Sequence, residues 1–119
     1  MINIPEARRL LTSEEISNYV SGKFFRCIQP FLSWMKKGET FWFEYHPSTD
    51  TYEIRSDSAV GREIKMEIYQ LLTCFVPIEC ETNIYFAIKY FHWLGELEIH
   101  HNDIDEIVNW YEESGILNY

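Results

Sequence analysis

The sequence predicts an α+β fold in which an antiparallel sheet of about four strands carries helices mainly on one face. Three observations lead there: a helix-capping signature at Thr12, alternating apolar and polar residues around turn chemistry from Glu39 onwards, and apolar stripes at helical spacing on either side. The alternative, a mostly helical protein with one β-hairpin, turns on residues 83–94. Their apolar run suits a buried strand or a buried helix.

The first helix starts at Thr12. Glu15 stands three residues on, as a capping box requires, and Leu11 and Ile16 occupy the two positions of a hydrophobic staple. Ile16, Tyr19, Val20, Phe24, Cys27, Phe31 and Met35 continue at helical spacing past Gly22 and Pro30, which predicts two helical pieces or one bent helix ending near Gly38. Residues 39–46 and 51–56 then alternate on either side of His46-Pro47-Ser48-Thr49-Asp50, a β-hairpin. On its first strand Phe41, Phe43 and Tyr45 share one side, and Trp42 and Glu44 the other. Either helices cover that second side or Trp42 is exposed beside carboxylates, the composition of an interface hot spot.

Val60, Ile64, Ile68, Leu71 and Phe75 form an apolar stripe opposite Arg62, Glu63, Lys65 and Glu67, predicting an amphipathic helix from near Ser58 that stops at Pro77. The aromatic and β-branched residues of 84–91, with a turn at Leu94-Gly95, favour a second hairpin with strands over 84–91 and 96–100. Asn102 or Asp103 caps a final helix that ends at Gly115. No repeat or linker interrupts the chain, and its 119 residues with twenty aromatic side chains are read as one compact domain, 1–119.

Charge is distributed unevenly. Residues 1–59 carry a net −1 and residues 60–119 a net −8; beyond Lys89 there is no Lys or Arg at all, only the carboxylates Glu96, Glu98, Asp103, Asp105, Glu106, Glu112 and Glu113. Such a surface disfavours nucleic acid as a direct ligand and favours a basic protein. Trp110 and Tyr111 among these carboxylates argue against a disordered acidic tail. On the final helix Glu112 and Glu113 oppose the helix dipole and each other, so local stability does not account for them. They belong either to a solvated acidic face or to a docking face anchored by Trp110.

Motifs for chemistry are lacking. His46, His92, His100 and His101 form no metal-ligand spacing, adjacent strand histidines point to opposite faces, and Cys74 and Cys80 lack a second ligand pair, so no metal is expected. Cys27, Cys74 and Cys80 read as inert packing thiols. The glycines are isolated, and neither a phosphate loop nor a nucleophile elbow is present. With no leader-like or membrane-spanning run in the sequence, the chain is expected to be cytoplasmic. In size, acidity and lack of motif it is similar to the small immunity proteins that bacteria pair with secreted nuclease toxins, a likeness of composition rather than of residues.

The expected function is therefore that of a non-enzymatic, cofactor-free acidic binding protein that neutralises a basic partner. Glu96, Glu98, Asp103, Asp105, Glu106, Trp110, Glu112 and Glu113 form the expected contact surface. Two other classes stay open: a small hydrolase built on Glu96, Glu98, His101 or Asp103, and an obligate homo-oligomeric subunit.

Overall fold

The structure, a computed structural model, describes residues 10–56, 61–99, 101, 106, 109 and 113. Helix α1 (Ser13–Tyr19) has the expected start. Thr12 Oγ1 accepts from the Glu15 N–H at 3.1 Å, and Glu15 Oε1 accepts in return from the Thr12 N–H at 3.5 Å. The helix ends in a turn at Gly22, whose φ of 73° is the left-handed conformation that favours glycine.

The continuation expected as helix is instead a strand, β1 (Lys23–Cys27). Phe25 and Cys27 point into the core while Phe24 points out and is 58% exposed. With apolar residues on both sides, the period of two is hidden and the 3.6 spacing of Phe24 and Cys27 is accidental.

β2 (Thr40–His46) and β3 (Thr51–Arg55) form the expected hairpin, Phe43 facing Ile54 and Tyr45 facing Tyr52. Next comes β4 (Arg62–Ile64), paired with β3, within the helix expected from near Ser58, whose start lies outside the described residues. Of the stripe's described residues only Ile68 and Leu71 are helical, in α2 (Ile68–Cys74); it starts at Glu67, whose side chain accepts from the Gln70 N–H while Gln70 Oε1 accepts from the Glu67 N–H at 2.9 Å. Ile64 is used across the ladder opposite Tyr52 instead. β5 (Phe75–Pro77) pairs with β1, giving a five-stranded, wholly antiparallel sheet in the order β4-β3-β2-β1-β5.

A single turn, α3 (Glu79–Thr82), leads into α4 (Ile84–Glu96). The expected strands over 84–91 and 96–100 are thus overturned: the first lies wholly within this helix, and Leu97 and Glu98 form the turn that ends it. Asn83 decides the matter locally, since its Oδ1 accepts from the Tyr85 and Phe86 N–H groups at 3.1 and 3.2 Å. Ile84, Ala87, Tyr90 and Leu94 then recur at helical spacing on a buried face, while the equally apolar Tyr85 and Ile88 are 62% and 52% exposed. Those two side chains blurred the period.

The sheet buries one face. Phe25, Phe41, Phe43, Ile54 and Phe75 point inwards and form one cluster with Ile16, Leu71, Leu72, Tyr90 and Leu94 from the helices. Edge-to-face ring pairs knit it, with Phe25–Phe43 centroids at 5.2 Å and Phe43–Phe75 at 4.9 Å. Tyr19 stacks on Trp93 at 4.2 Å, and the Trp93 indole N–H donates to Glu15 Oε2 at 3.2 Å, so the glutamate of the α1 capping box also holds α4. The architecture is α+β, as predicted, with five strands among the described residues where about four were expected. No helix among the described residues is long and apolar enough to cross a membrane.

Candidate protein-binding surfaces

The acidic region begins where α4 ends. After Leu97 the backbone closes a Schellman motif: the Ile99 N–H donates to the Leu94 carbonyl at 3.0 Å and the Glu98 N–H to the Gly95 carbonyl at 3.0 Å. Ile99 and Leu94, the two residues that supply the motif's apolar contact, are both buried. The position between them must be left-handed, and glycine is its usual occupant. Here it is Glu98, at φ 59°.

Glu96 and Glu98 are both exposed at the negative end of the α4 dipole, where carboxylates are disfavoured. His92 Nε2 lies 3.2 Å from Glu96 Oε1, one turn back along the helix. Of the remaining expected contact residues, Glu106 and Glu113 are helical and exposed. Asp103, Asp105, Trp110 and Glu112 lie outside the described residues, as does the expected end of that helix at Gly115.

A second surface is the outer face of the sheet. Phe24, Trp42 and Arg55 stand directly opposite one another across β1, β2 and β3, and Glu44, Glu53 and Glu63 do so across β2, β3 and β4. Trp42 is half-buried, with the Arg55 guanidinium 4.9 Å from its ring centroid. It is not sealed beneath a helix. Arg55 also holds Glu53, Nη2 to Oε2 at 2.7 Å, and His46 Nε2 lies 3.6 Å from Glu53 Oε1. The Thr51 hydroxyl donates to Glu63. Glu44 makes no ion pair among the described residues. Towards β5 the charge is cancelled, because Arg26 grips Glu81 through Nε at 2.8 Å and Nη2 at 2.9 Å, a fork that raises its pKa.

The residues considered for other chemistry lie elsewhere. His101 is buried, and no group of three potential metal ligands occurs among the described residues. All three thiols are buried; desolvation pushes Cys27 up to about 11 and Cys74 up to about 12, and raises Cys80 as well. A groove of about 570 Å³ runs between the hairpin and α2, where Tyr45 Oη donates to Asp50 Oδ1 at 2.9 Å. Its described lining includes neither Glu96, Glu98 nor His101. Compared with known proteins, the chain matches no protein-family model, no curated protein and no solved structure.

Proposed function

We propose that this chain is a non-enzymatic acidic binding protein that neutralises a basic protein partner in the cytoplasm, of the immunity or antitoxin type that blocks a bacterial nuclease toxin. The observation that carries the reading is Glu98. Its backbone conformation favours glycine, its charge opposes the helix dipole, and it belongs, with Glu96 before it, to a run of carboxylates with no Lys or Arg after Lys89. Local stability disfavours Glu98 on both counts, and an exposed carboxylate at this place serves long-range attraction.

On this reading Glu96, Glu98, Glu106 and Glu113 act with Asp103, Asp105 and Glu112 to steer the partner in, and Trp110 anchors it. A nuclease is cationic around its substrate groove, so a carboxylate-rich surface can occupy that groove and raise the association rate. The test is capture of a cationic protein by the tagged full chain, followed by association kinetics of the purified pair at low and high salt. Reversal of Glu96, Glu106 and Glu113 to Lys should slow association by an order of magnitude or more at low salt and flatten its salt dependence. A salt-insensitive on-rate would refute the reading, as would a turnover abolished by Glu98→Gln in a folded protein.

A further inference from the structure

We propose that the outer face of the sheet is a docking surface for an arginine- or lysine-bearing segment of the partner, separate from the acidic end of α4. The inference rests on the basic-partner reading and adds a surface to it. Glu44, Glu53 and Glu63 stand in register across three adjacent strands. Neighbouring strands lie about 4.8 Å apart, so like charges directly opposite one another repel and destabilise the sheet. Alternation of Lys and Glu would be the stable choice for a face turned only to water.

Compensation within the chain is partial. Arg55 neutralises Glu53 and hydroxyls solvate Glu63, but Glu44 has no ion pair among the described residues. Beside this row lies an aromatic one, Phe24 at 58% exposure next to the half-buried Trp42. Aromatic surface beside one carboxylate that lacks an ion pair among the described residues, Glu44, and two that are only partly compensated is complementary to a segment carrying guanidinium or ammonium groups next to apolar side chains. A second copy of this chain is a poor occupant, because two-fold pairing would set one glutamate row against another.

The probe is a nine-residue oligoarginine peptide titrated into the full chain, followed by amide and indole chemical shifts. Saturable shifts at Glu44, Glu53, Glu63 and the Trp42 indole are expected, and E44Q/E63Q should weaken the peptide about three- to tenfold. Without peptide, E44Q should raise the unfolding temperature at low salt and not at high salt. An unchanged unfolding temperature, or wild-type affinity in E44Q/E63Q, would overturn the inference. If the shifts cluster at Glu96–Glu113 alone, the sheet face falls and the basic-partner reading stands. If the peptide binds nowhere in a salt-sensitive way, both fall. Concentration-dependent dimerisation abolished by Phe24→Asp would make the occupant a second copy and overturn the proposal.

Discussion

Glu98→Gly tests whether the end of α4 trades stability for charge. A non-glycine residue in the left-handed region costs about 1–2 kcal/mol, from which glycine's extra unfolded-state freedom returns about 0.5–1 kcal/mol. Removing a carboxylate from the negative end of an exposed helix adds about 0.3–1 kcal/mol. The substitution should therefore stabilise the protein by about 1 kcal/mol, raising the unfolding temperature by about 4 °C for a domain of this size. Glu98→Gln separates the two contributions: it removes the charge and keeps the φ of 59°, so it should recover only a few tenths of a kcal/mol. Scanning calorimetry and urea unfolding would measure both. If Glu98→Gly gains no more than Glu98→Gln, the backbone is not strained there and the trade-off argument fails. If it gains stability and binds the partner as tightly as wild type, Glu98 is not a contact.

Asn83→Ala should cost about 0.5–2 kcal/mol by leaving the Tyr85 and Phe86 N–H groups without their acceptor, and Asn83→Asp should retain most of it; equal unfolding midpoints for all three proteins would remove the capping argument. Tyr90 Oη is buried with no hydrogen-bond partner among the described residues, so Tyr90→Phe should stabilise by about 1 kcal/mol, and a loss of stability would reveal an unseen partner for the hydroxyl. Stability should fall as pH rises above about 9. Cys27, Cys74 and Cys80 have folded pKa values raised above their unfolded ones, so their contribution is complete below the unfolded value and is lost as pH climbs. With three protons held only by the fold, the slope approaches about 4 kcal/mol per pH unit. Urea unfolding between pH 8 and 11 under reducing conditions measures it, and a flat profile would refute the burial of the thiols.

The misreadings of β1 and α4 have one physical origin. In β1 the exposed side chain is Phe24, and in α4 it is Tyr85 and Ile88; each puts an apolar residue where the period needs a polar one. The capping box at Thr12 and the β2–β3 hairpin were legible because their signals are local and chemically specific. β4 and β5, of three residues each, are too short to show a period and exist only through pairing with β3 and β1. The carboxylate series was visible in the chain, but the glutamate row across the sheet was not, since register joins Glu44, Glu53 and Glu63 from three separate strands.

The position of β1 between β2 and β5 governs how the chain can assemble. Its partner on one side arrives early, whereas the contacts that fasten the other side, Lys23–Glu79 and Arg26–Glu81, close across 56 and 55 positions. Long closures cost entropy before any contact rewards them, so β5 is expected to dock after the β2–β3 hairpin has formed, an order that φ-value analysis would check. Without β5, β1 would present an open hydrogen-bonding edge, the form of strand most prone to pair with another chain. A chain cut short before Phe75 would lack β5 and leave β1 as an edge strand, so such a truncation should aggregate more readily than the full chain.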